Sequence, residues 1–188
     1  MRFKTTLPLL LLPMLAAACS GPEPRYRMDS APPAASMRLA VGTLEVREVS
    51  LPAYADASEI LLEDASGAMT QVEDALWADD PRRAMTQTLA ERLGVISGAT
   101  VAAEPWPLEE PAQAAVHVRV SEAVASASGS FRLKGQYALS SYDRVIRERV
   151  SRFEITVPLQ AASAGAIADA AGRATAQLAD RIASDLAR

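Results

Sequence analysis

The chain has a single cysteine and a single histidine in 188 residues. A disulfide needs two thiols, so stability must come from packing even in an oxidising compartment. Metal centres built from Cys and His clusters are nearly excluded by number, and so are sites that need several such residues. Aromatic residues are scarce, at 5%. There is no glycine-rich phosphate loop and no nucleophile elbow. Beyond residue 18 the chain carries 17 Lys and Arg against 23 Asp and Glu, a balance of −6. That sign, without any basic cluster, argues against nucleic acid as a partner.

What is present begins with Leu9-Leu10-Leu11-Leu12-Pro13-Met14-Leu15-Ala16-Ala17-Ala18, which ends on Cys19. Arg2 and Lys4 precede it. A basic start, a short apolar stretch and small residues before a cut form a secretory signal. Residues 3–18 are short for a bilayer span, and Pro8 and Pro13 interrupt them. The cysteine stands where the mature chain would begin, which resembles the bacterial lipobox, although Ala16 holds the place where leucine is usual. In that motif the thiol receives a diacylglycerol. Each buried CH₂ contributes roughly 0.8 kcal/mol, so two or three acyl chains anchor firmly. Ser20 follows Cys19. By resemblance to known sorting, the lack of Asp there implies the outer membrane, with the folded part on its periplasmic face.

The expected organisation is a signal over residues 1–18, a lipidated tether over 19–24 and one domain over 25–188. Residues 20–36 hold Pro22, Pro24, Pro32 and Pro33 and read as an extended spacer. The alternating Arg25-Tyr26-Arg27-Met28 suggests an edge strand, which favours the shorter tether. Removal of the signal leaves 170 residues, enough for one domain with a substantial core.

Strand character begins at residues 37–49, with Leu39 and Val41 in one phase, Leu44 and Val46 in the other, and a bulge expected at Gly42. Leu51-Pro52-Ala53-Tyr54 breaks the strand, because proline cannot donate to a ladder. Glu59-Ile60-Leu61-Leu62-Glu63 is a second strand, and residues 69–72 return as its hairpin partner. Asp80-Pro81 marks a helix start, with an acidic cap followed by proline at the first helical position. Met85, Leu89 and Leu93 form its buried stripe, with Leu76 and Trp77 extending that face and Gly94 as the stop.

Residues 101–103 are a short apolar strand before the turn at Pro105-Trp106-Pro107. Three half-buried strands follow, in which Val116, Val118 and Val120, then Phe131, Leu133, Tyr137 and Leu139, then Phe153, Ile155 and Val157 alternate with polar residues. Turns at 126–130 and 140–143 make them an antiparallel meander, ended by Pro158. Ser163 caps a last helix in which Ile167, Ala171, Ala174, Leu178, Ile182 and Leu186 share one stripe. The expected class is α+β: a mostly antiparallel sheet with two main helices packed on one face, a two-layer sandwich.

His117 has Ser121, Ser126 and Ser128 near it in sequence. On one strand, however, His117 and Ser121 stand about 13 Å apart at ~3.3 Å per residue, too far for a nucleophile and its base. The pair Asp79-Asp80 fits helix capping, and Glu109-Glu110 fits a solvated loop. No catalytic residue, metal site or cofactor is assigned. Tyr54 and Trp106, in the two proline-containing loops 51–56 and 104–108, are aromatics of the kind enriched at interfaces and are the candidate partner contacts. Each has an alternative as a core plug beneath its loop.

Several pieces taken in order carry a family resemblance. They are Arg25-Tyr26-Arg27-Met28 after the lipid cysteine, Val49-Ser50-Leu51-Pro52-Ala53-Tyr54-Ala55-Asp56 with Glu59-Ile60-Leu61-Leu62, Leu76-Trp77-Ala78-Asp79 before a helix, the meander and the closing helix. Together they resemble the ABC-type transport auxiliary lipoprotein family, which includes the PqiC lipoproteins. The resemblance implies a non-catalytic auxiliary of an intermembrane lipid transport system, with an MCE-domain protein and ABC transporter components as partners. It also makes a homo-oligomer plausible. The residues alone leave open a structural or regulatory lipoprotein of another envelope complex, such as a cell-wall synthase activator or a secretion pilot. Direct lipid binding would require an apolar cavity between helices and sheet.

Overall fold

A computed structural model describes residues 23–28, 36–141 and 143–187. Cys19, the signal and the start of the tether lie outside the described residues. Eight strands and two long helices follow one another: β1 (Arg25–Tyr26), β2 (Thr43–Val46), β3 (Glu59–Glu63), β4 (Met69–Trp77), α1 (Pro81–Ser97), β5 (Thr100–Ala103), β6 (Ala114–Ser126), β7 (Ser130–Ser140), β8 (Arg149–Pro158) and α2 (Ala164–Leu186). Among them no helix is long and apolar enough to cross a membrane.

The α+β class holds, but the sheet is mixed. β6, β7 and β8 form the expected antiparallel meander, from Ala115 opposite Ser140 to Ser130 opposite Pro158. The other edge of β6 is shared. β2 pairs in parallel with its first residues, Leu44 opposite Ala114, and β3 pairs in parallel with its last, Leu62 opposite Ala125. Between them Ser50 bridges Arg119, which keeps that edge of β6 bonded where the two strands part. β5 extends the β2 side in parallel; β4 and then β1 extend the β3 side. β2 and β5 are parallel because α1 carries the chain back to the start of β2 before β5 begins, and β6 joins the other edge of β2 in the same direction because residues 104–113 carry the chain back once more.

Several expectations are corrected in detail. The first strand is confined to Thr43–Val46, with Leu44, Glu45 and Val46 all buried, so no two-phase strand runs through Gly42. Leu76 and Trp77 come just before α1, as the sequence suggests, and they end β4; the Trp77 amide donates to Ser58 O at 2.8 Å. α1 passes through Gly94 and stops at Gly98, which takes the left-handed φ of 66° and donates to Gly94 O at 2.9 Å. A glycine ends a helix where positive φ is required, and Gly94 is four residues too early. The link from β7 to β8 spans residues 141–148, longer than a tight turn. Residues 53–55 form a 3₁₀ turn after Pro52.

The helix starts follow the sequence. Asp80 accepts from Arg83 N at 3.0 Å with Pro81 behind it, and Ser163 accepts from Ala166 N at 3.4 Å. Ile167, Ala171, Ala174, Leu178, Ile182 and Leu186 are all buried, and the alanines let α2 lie close on α1 and on β7 and β8. The Tyr137 ring is fully buried beside Phe153, with ring centroids 6.3 Å apart, and its hydroxyl donates to Asp185 Oδ2 at 2.6 Å. Burial comes first in pushing the Tyr137 phenol above its ordinary value, and the Asp185 hydrogen bond adds to it.

β8 is an edge strand, and α2 blunts it. Arg181 donates to Arg152 O at 2.8 Å and Arg173 to Pro158 O at 2.7 Å, so two carbonyls are covered by guanidinium groups.

At the middle of the sheet a bulge in β6 makes Ser121 the extra residue: Val120 faces Gly135 and Glu122 faces Lys134. A Cβ at Gly135 would meet Arg119 O at 2.3 Å, Val120 Cα at 2.9 Å and Phe153 Cζ at 2.9 Å. Backbone on one side and a packed ring on the other leave nothing free to yield. Gly135→Ala should therefore lower stability by about 1–3 kcal/mol, the usual cost of overpacking. Urea unfolding should show the midpoint moving down with the slope unchanged; an unaltered midpoint would remove the close approach as a constraint.

Candidate partner-binding surface

The residues singled out as partner contacts sit in different settings. Tyr54 stands in the 3₁₀ turn, and its hydroxyl accepts from Ala123 N at 3.2 Å, in the part of β6 just past the bulge. Asp56, at the end of that turn, binds Arg82 Nε of α1 at 2.7 Å. The loop is thus pinned to the sheet by one end and to a helix by the other. The Tyr54 ring lines a small apolar cavity with Leu51, Trp77, Met85, Phe131 and Ile167. Its volume is about 40 Å³, room for a few waters at most, whereas sites for drug-sized ligands begin at about 300 Å³. In this conformation it does not hold an acyl chain.

Trp106 is placed differently. It is half-buried, and its Nε1 donates to Glu110 O at 2.8 Å, closing residues 106–110 on themselves. Leu108 between them is 53% exposed. Here an indole whose N–H is already bonded within the loop stands beside an exposed leucine. The exposed carboxylates of Glu109 and Glu110 border it.

Glu104 fixes this loop, a role that the spacing did not reveal. One carboxylate oxygen accepts from Glu48 N at 2.9 Å and the other from Arg47 at 2.7 Å, stitching the end of β5 to the strand exit that leads to Tyr54. The Glu48 amide bond and the Arg47 hydrogen bond hold the Glu104 carboxyl below its ordinary value, against a small opposing effect of burial. The signal for such a residue would have been a carboxylate immediately before Pro105, which is too common to read.

His117 is exposed on the open sheet face and meets Ser140 Oγ at 3.2 Å, across the β6–β7 pair. The serines near it in sequence are engaged elsewhere: Ser121 donates to Lys134 O at 3.3 Å, and Ser126 and Ser128 contact each other at 3.0 Å. Asp80 caps α1, and Asp79 forms an ion pair with Arg83. Among the described residues no group of three or more His, Cys, Asp or Glu is placed to hold a metal ion. What the surface offers is an anchored aromatic loop beside a polar strand face.

Two solved structures share this architecture, and a third is more distantly similar. One, titled an uncharacterized protein, superposes with a TM-score of 0.67 at 17% identity, covering 80% of this chain and 94% of its own. Protein XCC0632 from Xanthomonas campestris, of family DUF330, superposes at 0.62 and 15% identity, covering 85% and 90%. A PelC dodecamer from Paraburkholderia phytofirmans is looser, at 0.46 and 13% identity, covering 85% and 95%. No curated protein matches in sequence. The fold is therefore that of a known class of small α+β domains. Residues 26–183 match the family described as ABC-type transport auxiliary lipoprotein component, and the chain belongs to that family.

Two outcomes follow from this geometry. Tyr54→Phe keeps the ring and removes the acceptor of the Ala123 amide, so it should cost about 1 kcal/mol, read as a lowered urea midpoint. Because Glu104 is more acidic folded than unfolded, its contribution is present above the 4.5 of a free glutamate and is lost as pH falls through its depressed folded value. Glu104→Gln should flatten that acid limb of the stability–pH curve; an unchanged limb would dissociate Glu104 from it.

Proposed function

We propose that this protein is an outer-membrane-anchored periplasmic lipoprotein that serves an intermembrane lipid transport system without chemistry of its own. The observation that carries this reading is the family match over residues 26–183, which begins seven residues after Cys19. Cys19 is the lipidated residue. The four residues from Cys19 to Glu23 span at most about 14 Å, so the domain stands close to the bilayer. Its partners are the membrane, through the N-terminal lipid, and an MCE-domain protein with ABC transporter components. The Trp106 loop, with its indole N–H bonded to Glu110 O and Leu108 exposed, supports a docking role. Tyr54 joins this surface from the other proline-containing loop while also closing the apolar cavity. The small size of that cavity favours a scaffold over a lipid carrier.

Cys19→Ala tests the anchor. The variant should leave the membrane fraction for the soluble periplasmic fraction, with the melting temperature of the domain unchanged. Continued sedimentation with outer membranes would overturn the tether.

A further inference from the structure

The open face of the sheet has two electrostatically different halves. In one, Arg132 binds Glu63 and Glu122 at 2.9 and 2.6 Å, and Lys134 binds Glu154 at 3.0 Å, so every cation has its carboxylates. In the other, Arg119 and Arg152 lie on one rung, on either side of Gln136. Strand spacing sets their stems about 10 Å apart. Both are exposed, and neither has a carboxylate partner among the described residues. Arg181 reaches the same corner and donates to Arg152 O. The nearby acids are committed: Glu154 to Lys134, and Asp185 to Tyr137, Ser151 and Arg149. On the next rung Val150 is 66% exposed, in line with Ala138 and His117.

The position of this patch selects its occupant. The described chain enters at β1, beside Trp77 and the start of α1, and Tyr26 packs on Gly165 at the start of α2. Arg149 and Val150 lie at the other end of α2, where Arg149 binds Asp185. The 23 residues of α2 separate the two ends by about 34 Å. Headgroups of the anchoring membrane therefore meet the β1 end, and the arginine rung is turned away from them.

We propose that Arg119, Arg152 and Val150 form a docking site for an acidic, partly apolar segment of a partner protein. More than one carboxylate is needed to engage both arginines, and Val150 supplies apolar area between their charges and the end of the domain. The choice of a protein over a membrane rests on the tethered orientation proposed above.

The test places a photo-crosslinking amino acid at position 150 of the full-length chain in the intact envelope. Mass spectrometry should locate the adduct on a protein segment rich in Asp and Glu. Its yield should fall at least tenfold in Arg119→Glu/Arg152→Glu, survive in Arg119→Lys/Arg152→Lys, and drop as salt is raised tenfold. Circular dichroism of the charge-reversed chain verifies that it is folded. A lipid adduct, an adduct between two copies of this chain, no adduct, or a yield indifferent to charge reversal would each overturn the site. An acidic adduct on a protein foreign to transport would uphold the site and overturn the proposed function instead.

Discussion

The structure depends on keeping both edges of β6 hydrogen-bonded. This 13-residue strand runs the height of the sheet, and buried backbone donors and acceptors must find partners. β7 satisfies one edge. The other is satisfied piecewise by β2, the Ser50 bridge and β3. Short strands that would be marginal alone are thereby held in place. The bulge at Ser121 follows from the same arrangement, and it is possible only because Gly135 offers no side chain to the Arg119 carbonyl. The bulge keeps Val116, Val118 and Val120 under the helices and still turns Ala123 and Ala125 inward beyond it.

The meander was legible because its strands are wet on one face, so alternation marks both the element and its orientation. β2 was legible in part: Leu44 and Val46 keep the shared phase that their spacing gave, but the strand is only Thr43–Val46, because the apolar Leu39 and Val41 are buried without pairing in the sheet. Leu76 and Trp77 were legible as apolar residues entering α1, but not as the end of a strand, which is set by the pairing of Leu76 with Arg25 and Glu59 and of Trp77 with Tyr26. Gly94 misled because it has no positive φ to mark an end, and a Cβ added there would make only ordinary contact with Val101, at 3.8 Å. On the surface, Trp106 stood out by composition. The tie from Glu104 to Glu48 and the rung of Arg119 and Arg152 depend on cross-strand register, which one extra residue in β6 resets.

Charge on the open face is distributed with this register. Residues past the bulge fall into matched pairs, each worth little alone at a solvated surface, roughly 0–1 kcal/mol. Residues before it are left with arginines and an exposed valine. The same one-residue shift that satisfies the core thus divides the outer face into a self-neutralised region and a reactive one.

The arginines of α2 that cover the edge of β8 tie together two hazards that are separate in most sheets. The helix that completes the core is also the sheath over the exposed strand. Any loosening of α2 uncovers Leu178 and Ile182 at the moment it releases the carbonyls of Arg152 and Pro158. Partial opening therefore presents an apolar surface and a strand ready for pairing at once.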